Sequence, residues 1–324
     1  MAQHKVVVIN PGFESYDIER KLLEPAGAEV IVAAKDCDTE DSIITTARDA
    51  YGILVREGPV TGRVVETLKQ LKIIARYVVG VDNVDLETAR RLNVYATIVP
   101  NYGNEDVSDH AMALMLACIR TLPIRDKNVR RGIFETDIVS EIHRTTGRNL
   151  GIIGYGKIAR AFHRKWKGFL PERVLVFDPY VDEETVVENG AEKVDLNLLL
   201  EEADYISIHA PLTTDTRHII NESALKTMKS TAVIVNTSRG AIIDTMALAR
   251  ALEKGEIFAA GIDVFEKEPL PVDHPLAALD NVILTPHQAW YSKESTRDLQ
   301  RGAAEEVLRV LSGQRPVNWI NKWE

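Results

Sequence analysis

Short runs rich in β-branched residues recur along this chain, with helix-period segments between them, and that alternation restricts the fold more than any other feature. The first series is Lys5–Asn10, Val30–Ala33, Ile53–Val55, Lys72–Ala75 and Val94–Thr97, with helical patterns such as Gly62–Gln70 and Leu86–Leu92 in between. The second is Leu150–Ile153, Val174–Phe177, Tyr205–Ile208, Ala232–Asn236, Ala259–Asp263 and Val282–Leu284. A strand that returns to its sheet by way of a helix returns parallel, so this order predicts an α/β chain of βαβ units with sites at the carboxyl ends of the strands. At roughly 150 residues per domain, 324 residues make about two domains.

The series are separated by a long helical stretch around Val107–Leu122. Its most apolar part, Ala111–Ile119, is too short to cross a bilayer and reads as a buried helix. At the other end Leu299, Ala303, Val307 and Leu311 recur every four residues, giving a helix from about Glu294 to Leu311 with one apolar face. This helix follows the last strand of the second series. The sequence permits it to cross back onto the first series, which would make the N-terminal domain discontinuous.

Composition narrows the function classes. Lys and Arg number 39 against 48 Asp and Glu, a net charge of −9, and no basic tract stands out, so nucleic acid is not an expected partner. Cys37 and Cys118 lie far apart, outside any C-x-x-C or Cys/His cluster, which disfavours a disulfide scaffold and a metal site and fits a reducing compartment. The start, MAQHKVVVIN, lacks the marks of a signal peptide. A cytoplasmic protein without a membrane partner is expected.

The sharpest local motif runs from Asn149 to Arg160. Gly154, Gly156 and Ala159 take the G-x-G-x-x-G/A positions, with Tyr155, Lys157 and Ile158 between them, directly after one apolar strand and at the opening of a helix. The first glycine allows a tight turn, the second lets a pyrophosphate approach the backbone, and the alanine permits close helix–strand packing; the helix N-terminus supplies N–H groups to the phosphates. The next strand ends at Asp178, where a carboxylate can take the two adenosine ribose hydroxyls. Asp182, Glu183 and Glu184 follow and no Arg does, so a 2′-phosphate would be repelled and NAD is expected over NADP. Alone, Asp178 would read as a strand-end turn residue before Pro179; the glycine turn at this spacing makes the dinucleotide reading the better one.

Three ionisable residues each sit just past a strand of the second series: Arg239 after V-I-V-N-T-S, Glu268 beyond G-I-D-V-F-E-K, and His287 after V-I-L-T-P. Reduction of a 2-keto acid needs such a set. A guanidinium holds the carboxylate and polarises the carbonyl, an imidazole gives the proton, and a carboxylate orients the imidazole and raises its pKa. Taken singly, Glu268 in E-K-E-P reads as surface decoration, His287 is evenly balanced, and Arg239 in a small-residue S-R-G turn favours function.

Together, G-I-I-G-Y-G-K-I-A, H-A-P-L-T-T-D-T, V-N-T-S-R-G-A-I-I-D, G-I-D-V-F-E-K-E-P-L and T-P-H give the chain its resemblance to the D-isomer-specific 2-hydroxyacid dehydrogenase family, over essentially its full length. H-Q-A-W-Y-S, from His287, is similar to the H-x-A-W-Y-S of the C-terminal-binding-protein branch. The resemblance implies two Rossmann-like or flavodoxin-like doubly wound parallel-sheet domains with a cleft between them: residues 1–100 with 289–324 for substrate, and 101–288 for NAD. It implies a homodimer with residues 107–147 at its interface.

It also assigns roles. Arg239 matches the substrate-binding arginine, Glu268 the orienting carboxylate (Glu266 less well), and His287 the acid/base. Asp263 matches the residue that holds the nicotinamide carboxamide, with a strand-end cap as its plainer reading. His209, Ala210 and Pro211 through Thr216 match the loop beside nicotinamide and ribose, and Thr237 and Ser238 line the same cleft. Arg76–Asp85 resembles the substrate loop, with the N–H groups of Val79 and Gly80 for the carboxylate and Arg76 as a second arginine. Val78 stands where the family usually has Gly, and Asn101-Tyr102-Gly103 replaces a run of small residues. Trp290 is expected beside the substrate side chain, against the plainer reading of a packing residue at a domain junction, with Tyr102 opposite.

The expected activity is NAD-dependent D-2-hydroxyacid dehydrogenase, working as a 2-keto-acid reductase on a small acid. An apolar side chain of moderate size is expected over glyoxylate or a phosphorylated acid. The alternative is an NAD(H)-sensing module that a protein partner reads.

Overall fold

The computed structural model describes residues 4–134 and 142–323. Residues 135–141, part of the segment expected at a dimer interface, lie outside the described residues. The chain divides into two compact units, Met1–Tyr102 with Ser292–Glu324, and Gly103–Tyr291.

In the first unit the strands are β1 (His4–Ile9), β2 (Ala28–Val32), β3 (Ala50–Val55), β4 (Ile73–Arg76) and β5 (Tyr95–Thr97). They form one sheet in the order β2-β1-β3-β4-β5, every pair parallel. Helices α1 (Asp17–Leu23), α2 (Glu40–Thr46), α3 (Gly62–Thr67) and α4 (Leu86–Arg91) connect them. The first strand ends one residue earlier than the sequence suggested, because Asn10 turns left-handed with φ 48°. The second unit holds α5 (Asn104–Ile119), α6 (Leu122–Arg130), α7 (Lys157–Trp166), α8 (Glu183–Glu188), α9 (Leu196–Glu202), α10 (Glu222–Thr227) and α11 (Thr245–Glu253), and α12 (Lys293–Leu311) returns to the first unit.

α12 packs on α1 and β4. Leu299, Ala303 and Val307 are buried as their spacing predicts, but the fourth position is Val310 and not Leu311. A strict period of four drifts off a 3.6-residue helix, and the apolar stripe slips back by one.

The second sheet has seven strands: β6 (Leu150–Ile153), β7 (Val174–Phe177), β8 (Glu192–Lys193), β9 (Tyr205–Ile208), β10 (Val233–Asn236), β11 (Ala259–Ile262) and β12 (Val282–Leu284). Their order is β12-β11-β10-β9-β6-β7-β8, all pairs parallel. β8 has no counterpart among the sequence-read strands. One apolar core joins β9, β10 and β11 to α9, α10 and α11, and another joins the opposite face to α5 and α7. With both faces covered, the inner strands are mostly apolar, as parallel sheets require, while the edge strand β8 is Glu192–Lys193. The helix expected over Val107–Leu122 is two helices, broken where Thr121 turns left-handed with φ 50°. Among the described residues no single helix is long and apolar enough to cross a membrane.

Candidate active site

The strand order of the second sheet reverses between β6 and β9, and in doubly wound sheets ligands bind at such a switch point, beyond the strand ends. The glycine turn follows β6 and the His209 loop follows β9. Gly154 has φ +83°, and a Cβ there would lie 2.6 Å from the Ala210 nitrogen, so the two loops meet only because residue 154 lacks a side chain. Gly156 is exposed, and a Cβ built on it would meet nothing within 4 Å. It caps α7, whose first turn has no side-chain cap. Ala159 is fully buried beneath. Lys157 is exposed and Ile158 half-buried. Open space over an exposed glycine, at the N-terminus of a ten-residue helix, fits a pyrophosphate.

Asp178 lies half-buried at the end of β7. One carboxylate oxygen accepts the Tyr155 N–H at 2.7 Å, and the other those of Tyr180 and Val181 at 2.8 and 3.2 Å. It therefore braces the glycine turn as well as standing where a ribose would sit. Tyr155 faces inward. Its side chain is buried against His163 Nδ1 at 2.7 Å, and its N–H is taken by Asp178, so it shapes the turn from within. Burial lowers the pKa of His163 to about 4.

The remaining cofactor-side residues fall into two groups. His209 bonds Ser207 Oγ at 2.9 Å and sits against Phe162; burial lowers its pKa to about 3, so the ring is neutral. Ser238 Oγ donates to the Ile208 carbonyl at 3.0 Å, joining the β10 loop to the end of β9. Thr237 Oγ1 is buried with no hydrogen-bond partner among the described residues, and such an atom suits a ligand. Ala210 is buried and Pro211 exposed. Thr216 spends its hydroxyl on the Pro211 carbonyl at 2.6 Å and receives the Thr213 N–H at 2.7 Å, holding its own loop closed.

The acid/base candidates converge. His287 Nδ1 is 2.7 Å from Glu268 Oε2, and Glu268 Oε1 accepts the Phe265 N–H at 2.9 Å. The hydrogen bond to Glu268 raises the His287 pKa, against the opposing effect of burial. Burial works to raise Glu268, but the bonds from His287 and Phe265 outweigh it and leave its pKa lowered. Arg239 is half-buried, with Nη1 2.8 Å from its neighbour's carbonyl, Ser238 O, and its charge acts on both members of the pair. Gly240 fixes that placement: a Cβ there would fall 1.9 Å from the Phe265 carbonyl carbon, so the Arg239 turn lies directly on the backbone leading to Glu268. Glu266, the less favoured acid, is bonded to His218 and Thr245 instead.

Asp263 directly follows β11 and caps the loop that follows β12. It is fully buried, and its carboxylate accepts the Thr285 hydroxyl at 2.6 Å and the N–H groups of Gln288 and Ala289 at 3.1 and 3.0 Å. This carboxylate holds the His287 loop in place. Trp290 is half-buried and donates its indole N–H to the His287 carbonyl at 3.1 Å. In the first unit Val79 is 50% exposed and Gly80 half-buried, at the tip of the Arg76–Asp85 loop. Arg76 is 7% exposed, its guanidinium bonded to Asn83 and the Arg56 carbonyl, so it ties this loop together and is not open toward solvent. His110, Thr285 and Gly240 were missed by sequence reasoning; only the S-R-G adjacency hinted at the last.

The family profile described as "D-isomer specific 2-hydroxyacid dehydrogenase, NAD binding domain" matches residues 112–289. The chain is 38% identical to a glyoxylate reductase of Korarchaeum cryptofilum over 309 residues, covering 94% of this chain and 89% of that protein. It is 38% identical to a D-3-phosphoglycerate dehydrogenase of Methanocaldococcus jannaschii over 319 residues, spanning 98% of this chain but 59% of that protein. The apo-structure of D-lactate dehydrogenase from Escherichia coli superposes with a TM-score of 0.84 at 33% identity, covering 98% and 99% of the two chains. A glycine turn at the switch point, an acid ending the next strand and a His–Glu pair beside an arginine thus occur in a chain that belongs to the D-isomer specific 2-hydroxyacid dehydrogenase family.

Proposed function

We propose that this NAD-dependent dehydrogenase of 2-hydroxy acids runs as a 2-keto-acid reductase, with His287 as proton donor, Glu268 as its orienting carboxylate and Arg239 as the group that holds the substrate carboxylate. The observation that carries the reading is the 2.7 Å bond between His287 Nδ1 and Glu268. It commits Nδ1 to the carboxylate and leaves the proton on Nε2 as the one to be given. The raised pKa keeps that proton in place to higher pH. The Arg239 guanidinium offers paired donors for a carboxylate and polarises the neighbouring carbonyl. Reduced NAD, when bound, supplies the hydride. The chain's part is to hold it by the Gly156 turn and the α7 N-terminus, with Asp178 placed for the ribose and against a 2′-phosphate.

Relatives named as enzymes favour catalysis over NAD(H) sensing. For the substrate, Trp290, tied to the His287 backbone, favours an apolar side chain of moderate size. Glyoxylate is the second reading, from the names of the relatives. Leu122 and Val129 of α6 and Phe134 just beyond it are exposed at 55%, 56% and 82%, and apolar side chains open to solvent support the homodimer. The free, buried thiols of Cys37 and Cys118 support the cytoplasm.

Two measurements test the proposal. kcat/KM with NADH is expected to exceed that with NADPH by about tenfold or more, and parity would remove Asp178 from cofactor choice. Along a series from glyoxylate through pyruvate to 4-methylthio-2-oxobutyrate, kcat/KM is expected to rise with chain length, and to rise less in Trp290→Ala. A parent that prefers glyoxylate establishes the second reading.

A further inference from the structure

We propose that His110 is a positioning residue for His287, acting through Thr285 and Asp263. The inference rests on the reading of His287 as the acid/base. His287 has φ 51°, a left-handed conformation that a side-chain-bearing residue keeps only when its surroundings enforce it. Here the enforcement is visible. The Asp263 carbonyl accepts the His287 N–H at 2.7 Å, and the Asp263 carboxylate accepts the next two N–H groups, Gln288 and Ala289, at 3.1 and 3.0 Å. Successive N–H groups around a left-handed residue form a nest for an anion, and in this turn the anion is a side chain of the protein itself.

A fully buried carboxylate needs each of its partners fixed. Thr285 gives its single hydroxyl proton to Asp263 Oδ1 at 2.6 Å, because a carboxylate only accepts. Thr285 Oγ1 must then be the acceptor toward His110 Nε2, 3.0 Å away. His110 therefore carries a proton on Nε2, which also points toward Asp263 Oδ1 at 3.5 Å. The ring comes from the second turn of α5, and its side chain is 23% exposed. The chain of donors runs from His110 to Thr285 to Asp263, and Asp263 holds the three N–H groups that set His287 against Glu268.

Two substitutions separate donation from packing. His110→Leu fills the space without a donor, while the amide of His110→Gln can reach Thr285 in place of Nε2. In His110→Leu, kcat for keto-acid reduction is expected to fall about tenfold or more, since small displacements of a catalytic group are costly. The KM for NADH should stay within about twofold. In the cofactor-free protein, the His287 titration midpoint, read by imidazole NMR, should move down as its pairing with Glu268 loosens. His110→Gln should restore both. Thr285→Val serves if His110→Leu does not fold, and it should show the same loss and the same downward midpoint. A parental kcat and midpoint in the donor-less variant, or equal damage in His110→Gln, overturns the proposal. His287→Ala measured alongside separates the failures: if it keeps turnover, the acid/base reading is wrong; if it alone loses turnover, only the positioning role is wrong.

Discussion

Glu266 and Glu268 lie in the same short loop, and each is hydrogen-bonded to a histidine whose backbone is left-handed. His218 meets Glu266 at 2.8 Å and His287 meets Glu268 at 2.7 Å, both with φ 51°. By residue type, distance and backbone the two pairs match. Their surroundings differ. The other oxygen of Glu266 takes the N–H and hydroxyl of Thr245, at 3.1 and 2.8 Å, where α11 begins, so that pair fastens the loop before α10 to a helix start. The other oxygen of Glu268 takes one backbone N–H, and the charges of Arg239 and Asp263 both act on His287. A histidine–carboxylate bond is thus not sufficient to mark an acid/base; a guanidinium able to take a substrate carboxylate beside it is the added requirement.

The largest expected effect breaks the comparison outright. His287→Ala should lower kcat for keto-acid reduction by about 10²–10⁴-fold, the usual worth of a general acid. Comparable damage from His218→Ala would mean that the wrong pair has been chosen. Gly240→Ala comes next. The new methyl cannot fit 1.9 Å from the Phe265 carbonyl carbon, so the Arg239 turn must lift off the Glu268 loop. Stability should fall by about 1–3 kcal/mol in urea titration, and kcat/KM by about a hundredfold. A fully active Gly240→Ala would show that the spacing of Arg239 from the pair is loose. The smallest effect belongs to the fastening pair: His218→Ala should leave kcat/KM within about threefold of the parent, as expected of a residue outside the reaction.

What was legible in the sequence was chemistry that demands a residue type. Gly154 and Gly156 had to be glycine for a turn and an approach, and Asp178 had to be an acid at a strand end. Arg239, Glu268 and His287 were visible as ionisable residues past successive strands. What was not legible depends on tertiary approach. Nothing local shows that Tyr155 turns inward to His163, that Asp263 fills a nest made by residues 287–289, or that His110, on a helix far upstream, reaches Thr285. β8, two residues long, is too short to carry a pattern. The break at Thr121 had a local mark in Pro123, at the opening of α6, which the apolar run over Ala111–Ile119 obscured.

The most direct test of the central claim is the pH dependence of kcat/KM for keto-acid reduction in the parent, Glu268→Gln and Glu266→Gln. His287 must be protonated to act, and its pairing with Glu268 raises its pKa, so the parent should hold its rate to higher pH. In Glu268→Gln the fall should begin at lower pH, while Glu266→Gln should follow the parent. Coincident profiles for the parent and Glu268→Gln, or a shift in Glu266→Gln alone, would contradict the assignment of Glu268 and His287 as the working pair.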